Sequence, residues 1–378
     1  MKFEIMRDWL LEGLNDVMKA ISQKVANPIL TGVKIEVNDK GLTMTGSDSD
    51  ITICTFIPVE EDGEQIIRVI ESGSIILQAK VFSEIVRKLP TNDVTIEVEN
   101  GMQTHIQSGK SEFHLIGSNS DDYPVLPNVK DEYRFSLPSD LMKSLIKETV
   151  FAVSQQETRP ILTGVHWETN EEKLVCVATD SHRLARREIV PENMPESPFS
   201  VVIPGKSLQE LNKILPDNAD VVEIVIADQQ VLFKSRNVLF YSRLLEGNYP
   251  DTSRLIPSEY KTTVQVNGRQ LLQAIDRASL LARDERNNIV RFSADGGKAI
   301  EVSSNSPEVG KVEELIEAID VTGEDLKISF SAKYMMDALK AIDGQDIAIH
   351  FTGAMRPFIL TSMENDLILQ LILPVRTF

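Results

Sequence analysis

Thr179, Asp180, Ser181 and His182 stand consecutively, so an acid, a hydroxyl and an imidazole occur side by side, the residue types of a nucleophilic relay. A relay needs each side chain to touch the next. Neighbours along a strand point to opposite faces, so a strand over this run cannot assemble one. The sequence has no Gly-x-Ser-x-Gly elbow, no Gly-x-x-x-x-Gly-Lys phosphate loop and no acidic cluster at a metal motif's spacing. His105, His114, His166, His182 and His350 show no His-x-x-x-His or Glu-x-x-His pairing, so no metal and no other cofactor is expected. Cys54 and Cys176 lie in apolar β-type stretches and read as buried thiols. No catalytic residue is expected.

The 378 residues exceed one usual domain of roughly 100–200 residues two- to threefold. With 42% hydrophobic and 25% charged residues, the chain is neither disordered nor fibrous. The longest apolar run, Leu367 to Val375, is interrupted by Gln370 and falls far short of the roughly 18 residues of a membrane span. Charges at Lys2, Glu4, Arg7 and Asp8 break any signal-peptide core, so a cytoplasmic location is expected. A formal charge of −18 argues against gripping nucleic acid by bulk electrostatics, because phosphate binding rests on Lys and Arg.

The elements that position these residues occur more than once. Pro28–Asp50 overlays Pro160–His182 without a gap, with 11 identities in 23 positions, including an intact Pro-Ile-Leu-Thr-Gly-Val block. A weaker third copy begins at Ile289, where Val290–Ser293, Asp295–Lys298 and Ile300–Ser304 repeat the strand, turn and strand rhythm. The runs 80–89, 206–215 and 333–342 also correspond, each opening on Lys. Repeats of this length are whole domains. The expected domains are 1–128, 129–255 and 256–378.

Each copy reads alike. A strand such as Phe3–Ile5 leads into a helix with apolar residues three and four apart, Leu10, Leu14, Val17 and Ile21 in the first copy. Ser139 and Asn267 stand where N-caps are expected. Alternating strands such as 33–37 and 221–226 follow, with turns at 38–41 and 295–297. Two helices on one side of an antiparallel sheet make each domain α+β.

The six expected helices carry 14 Lys and Arg against 9 Asp and Glu, a balance of +5, which leaves −23 for the rest. Helix faces turned to a common space would line a mildly positive channel inside a negative shell. Solvated helix faces enriched in Lys and Arg account for the same numbers. A non-catalytic scaffold of three repeated domains that gathers proteins without encircling DNA is the alternative that residue chemistry leaves open.

The threefold repeat, the opening Met-Lys-Phe, the block at 28–32, the segments Ala178–Ala185 and Gly247–Asp251, and Leu373–Arg376 together resemble the bacterial DNA polymerase III beta subunits, the sliding clamps. The likeness covers the whole chain in order. It implies a head-to-tail homodimer, a ring of six similar domains with helices lining the hole and sheet outside, encircling double-stranded DNA without sequence preference as a processivity factor of replication. It places the dimer seam at Phe113 and Leu115 on an edge strand, facing Leu280 and Leu281. It suggests weak DNA contacts from Lys24, Gln156 and Arg159, with Lys80, Lys206, Arg277 and Lys333 as further helix candidates.

The resemblance also implies a groove where the replicative polymerase alpha subunit, the clamp loader, other polymerases and repair proteins insert short peptides. The matching positions are Leu162, Thr179, Ser181, His182, Arg183, Leu184, Pro250, Arg254, Leu255, Leu371, Leu373, Pro374, Val375 and Arg376. Arg183, Arg254 and Arg376 are expected to bond peptide carbonyls at the rim. Val375 stands where many relatives carry Met, and Thr377-Phe378 extends past the common ending.

Overall fold

A computed structural model describes residues 1–22, 26–99, 101–126, 129, 132–170, 172–195, 197–282, 288–343 and 346–376. Lys24, the boundary residue Asn128, Thr377 and Phe378 lie outside the described residues.

One plan is used three times. The first repeat runs β1 (Lys2–Met6), α1 (Arg7–Val17), β2 (Gly32–Asn38), β3 (Gly41–Ser47), β4 (Ile51–Pro58), the short pair β5 (Glu60–Glu61) and β6 (Glu64–Gln65), β7 (Ile67–Glu71), β8 (Gly73–Gln78), α2 (Ala79–Lys88), β9 (Asp93–Val98), β10 (Gln103–Ser108) and β11 (Ser111–Ile116). The second runs β12 (Tyr133–Pro138), α3 (Ser139–Thr149), β13 (Gly164–Asn170), β14 (Lys173–Thr179), β15 (Arg183–Ile189), β16 (Ser200–Pro204), α4 (Gly205–Asn212), β17 (Val221–Ala227), β18 (Gln230–Ser235) and β19 (Val238–Arg243). The third runs β20 (Thr262–Asn267), α5 (Gly268–Ala282), β21 (Ile289–Ala294), β22 (Ala299–Ser306), β23 (Gly310–Glu317), β24 (Asp320–Gly323), β25 (Leu326–Ser331), α6 (Ala332–Ile342), β26 (Asp346–Phe351), β27 (Phe358–Ser362) and β28 (Ile368–Ile372).

The chain divides into two compact units, 1–142 with 206–244 and 143–205 with 245–378. The first unit holds a five-stranded sheet, β11-β10-β9-β1-β7, and an eight-stranded sheet, β12-β17-β18-β19-β4-β3-β2-β8. Leu10, Gly13, Leu14 and Val17 form the buried stripe of α1, which packs on β3 and β4. A Cβ on Gly13 would come within 2.4 Å of Met44 Cε, so a larger residue there would push the tip of the Met44 side chain aside. Ile21 is not helical as expected; α1 tightens into a 3-10 turn at Met18–Ala20, and Ile21 is extended. Ser139 is the first residue of α3 rather than its cap, and its hydroxyl donates to the Pro216 carbonyl at 2.8 Å.

The second unit holds a nine-stranded sheet, β16-β13-β14-β15-β28-β27-β26-β20-β24, and a four-stranded sheet, β23-β22-β21-β25. The apolar stripe Leu271, Ala274, Ile275 and Ala278 on α5 packs over β21 to β23, with Phe292, Phe330, Phe351 and Phe358 at the centre of the core. Asn267 caps α5 as expected, its Oδ1 accepting from Gln270 N at 3.1 Å.

The α+β plan of helices against antiparallel sheet holds in every repeat, with strands distributed in a way the repeats do not reveal. Apart from the separate β5–β6 pair, each repeat divides its strands between two sheets, and successive repeats share one. In the first unit β19 pairs with β4, Phe240 opposite Ile53; in the second β15 pairs with β28, Leu184 opposite Leu371. No helix among the described residues is long and apolar enough to cross a membrane.

Candidate functional site

Strand alternation builds an apolar patch on one face of the nine-stranded sheet. Val175 and Val177 on β14, Leu184 on β15, Ile359 on β27 and Leu371 on β28 form a buried cluster separate from the main core. Tyr249, Leu369 and Leu373 lie over it, partly buried. Thr179 N donates to the Tyr249 hydroxyl at 3.0 Å, and the ring stacks on His166 at 4.9 Å between centroids. Burial pushes the Tyr249 hydroxyl well up and pulls His166 down, so both rings are held in their neutral forms.

Asp180, Ser181 and His182 form the turn between β14 and β15, where a continuing strand was expected. Asp180 Oδ1 accepts from His182 N at 2.9 Å and from Arg183 N at 3.1 Å. Ser181 sits at φ +77, like Ser49 at φ +84 in the matching turn of the first repeat. There Asp48 Oδ1 accepts from the corresponding amides, Asp50 N and Ile51 N. The acid of the would-be relay is thus engaged in holding a turn. The His182 carbonyl accepts from Leu373 N at 3.0 Å, which ties the C-terminal segment to this turn.

Arg183 is not at a rim. Its side chain is 7% exposed, with Nε donating to Asp180 at 3.0 Å, one terminal nitrogen to Asp337 at 2.6 Å and the other to the Phe151 carbonyl at 2.6 Å. Its guanidinium also covers the Tyr334 ring at 4.6 Å. Arg254 and Arg376 are exposed; the Arg254 side chain, 89% exposed, contacts Asp251 at 3.4 Å. Leu162 is buried, whereas Ser181, His182 and Pro250 are exposed and Pro374 is partly buried.

The expected groove residues therefore fall into groups. Thr179, Leu184, Leu371 and Leu373 belong to the patch. Arg254 and Leu255 line a cleft with Tyr260, Lys261 and Pro357. Val375, whose N donates to the Ser329 carbonyl at 2.8 Å, lines another with Phe292, Leu326 and Met355. Tyr249, Val177, Ile359, Leu369 and Tyr334 were missed. For Tyr249 a signal existed, since Tyr-Pro recurs at 123–124 and 249–250.

Lys80, Lys206 and Lys333 are each exposed at the second position of α2, α4 and α6, with no ion-pair partner among the described residues. A cation at a helix N-terminus opposes the macrodipole at about 0.3–1 kcal/mol, so helix stability does not explain this threefold placement. Arg277 differs from the expectation of a free cation, since Glu314 grips it at 2.7 and 2.6 Å. Gln156 and Arg159 are exposed. Phe113 and Leu115 are half-buried on the edge strand β11; Leu280 is 55% exposed and Leu281 half-buried at the end of α5. Burial raises both Cys54 and Cys176, and no catalytic thiolate forms there.

Comparison with known proteins follows the three repeats. Models of the N-terminal, central and C-terminal domains of the DNA polymerase III beta subunit match residues 1–127, 136–251 and 253–376. The chain is 56% identical to the beta sliding clamp of Bacillus subtilis and 49% identical to that of Staphylococcus aureus, each over the full length of both proteins. The crystal structure of the B. subtilis sliding clamp superposes with a TM-score of 0.97 over the full length of both chains. A Pseudomonas aeruginosa sliding clamp bound to griselimycin, 26% identical, superposes at 0.92, again covering both chains fully.

Proposed function

This chain belongs to the DNA polymerase III beta subunit family, and from that premise we propose that two copies close head to tail around duplex DNA and hold it by enclosure. It is a sliding clamp of DNA replication, a non-catalytic processivity factor with the three-domain α+β clamp fold. The observation that carries the DNA-facing reading is the exposed lysine repeated as Lys80, Lys206 and Lys333, without an ion-pair partner among the described residues. Gln156, Arg159 and, outside the described residues, Lys24 join them, while Arg277 contributes less because Glu314 neutralises it. Enclosure needs only weak phosphate contacts, which reconciles DNA binding with a charge of −18. Domain boundaries at 1–128, 129–255 and 256–378 follow the repeat spacing, and the cytoplasm is the site of action.

The partner groove centres on the patch under Tyr249 and Leu373, with aliphatic walls for a Leu or Phe anchor and exposed Arg254 and Arg376 to bond peptide carbonyls. Replicative polymerase, clamp loader and repair proteins compete for it through short peptides. Arg183 shapes this groove from beneath. Deleting Leu373 to Phe378 removes the Leu373 side chain and its bond to the His182 turn. Affinity for a polymerase-derived peptide then falls by at least about 30-fold, the equivalent of a 2 kcal/mol hot spot, while the dimer mass is unchanged. Calorimetry showing undiminished affinity removes the groove assignment.

A further inference from the structure

The histidines lack any helical metal-binding spacing, yet two of them meet in a sheet. Ser108 pairs with Ser111 across a two-residue turn with Gly109 at φ +57, and the ladder then sets His105 opposite His114. Their rings meet edge to face, centroids 4.3 Å apart. Glu112, two residues before His114 on the same face, places Oε1 3.8 Å from His105 Nδ1 and 3.6 Å from His114 Nε2. In a tetrahedral site with metal–ligand distances near 2.0–2.1 Å, donor atoms lie about 3.3–3.4 Å apart. The two histidine-to-carboxylate distances exceed this by a few tenths of an ångström, and all three donor atoms lie within 4.8 Å of one another. Among the described residues, this is the one group of three His, Cys, Asp or Glu donors gathered so closely.

The surroundings match a metal ligand in a second respect. His105 Nε2 is buried and makes no hydrogen bond, and Glu99 Oε2 lies 3.7 Å from it. A metal-bound histidine commonly uses one ring nitrogen for the ion and donates the other N–H to a carboxylate. Glu97, opposite His105 on β9, is held by Lys2 at 2.9 Å, so carboxylates outnumber cations around the pair. Two imidazoles and one carboxylate favour zinc-like transition metals over Mg²⁺ and Ca²⁺, which take oxygen ligands.

We propose that His105, His114 and Glu112 bind a divalent transition metal, with Glu99 accepting from His105 Nε2–H and water completing the coordination. The ion ties the edge strand β11 to β10, on the face opposite Phe113 and Leu115.

The test uses the untagged full-length chain, stripped with a chelator and titrated with Zn²⁺ by calorimetry and with Co²⁺ by visible absorption. One Zn²⁺ per chain and a Co²⁺ spectrum of tetrahedral character are expected. His105→Gln and His114→Gln each weaken Zn²⁺ binding at least tenfold, and Glu99→Gln weakens it about tenfold. His350→Gln, which alters a histidine bonded to Thr263 and Thr361, leaves the affinity unchanged. The altered side chains at 99 and 114 are exposed, so circular dichroism should match the wild type. Absence of saturable Zn²⁺ binding, or equal affinity in the wild type and the His105→Gln/His114→Gln double variant, overturns the proposal.

Discussion

A chain carrying Phe113→Asp and Leu281→Asp sediments as a monomer at concentrations where the wild type is a dimer. The expectation rests on sheet edges. β11 ends the five-stranded sheet and β23 ends the four-stranded sheet, and each carries a large apolar residue in the open, Ile116 at 84% and Leu315 at 76% exposure. Apolar edges left bare invite pairing with another chain, so proteins that keep them cover them. A contact between two different edges that closes after two copies makes a ring with two seams. Burying Phe113 and Leu281 contributes about 3–6 kcal/mol per seam. Across two seams even the lower figure corresponds to about four orders of magnitude in Kd. Circular dichroism checks that the double variant stays folded. A folded dimer of unchanged mass refutes the seam.

Arg183→Ala lowers the midpoint of the thermal transition by roughly 6–20 °C, the largest stability effect expected of any groove residue. The substitution leaves Asp180, 14% exposed, and Asp337, 27% exposed, without their shared cation. Removing one partner of a buried ion pair costs about 3–5 kcal/mol, and for 150–250 residues each kcal/mol shifts the midpoint by about 2–4 °C. Arg183→Lys keeps a charge but loses the planar fork that reaches Asp180, Asp337 and the Phe151 carbonyl together, so it recovers part of the loss. Arg254→Ala, at an 89% exposed side chain, stays within about 0.5 kcal/mol of the wild type. Calorimetric scans of the three variants decide it: equal midpoints for Arg183→Ala and Arg254→Ala contradict the buried network.

The contrast between these arginines marks what a sequence can convey. Both stand in segments that resemble a partner groove, but Arg183 is buried because Asp337, 154 positions away, meets it. No local period encodes such a partner. The repeats were legible because Pro28–Asp50 and Pro160–His182 share identities, and the helices because Leu10, Leu14 and Val17 share a face. The sharing of sheets between repeats was not, since β19 on β4 and β15 on β28 are long-range pairings of strands that alternate alike. Ser139 likewise proved to be the first residue of α3 and not its cap, its hydroxyl reaching the Pro216 carbonyl 77 positions away. The His105–His114 pair lay within reach. Counting outward from Gly109-Lys110 as a hairpin turn sets the two residues opposite each other, whereas a search for helical spacings passes over them.

Retention on DNA of different topology tests enclosure most directly. The protein is loaded onto nicked circular duplex by the bacterial clamp loader and filtered at a salt concentration that dissolves phosphate contacts. Half of the sample is then cut once. Enclosure predicts that the dimer stays with the circle and is lost from the linear product. Equal retention on both, or equal loss from both, contradicts it.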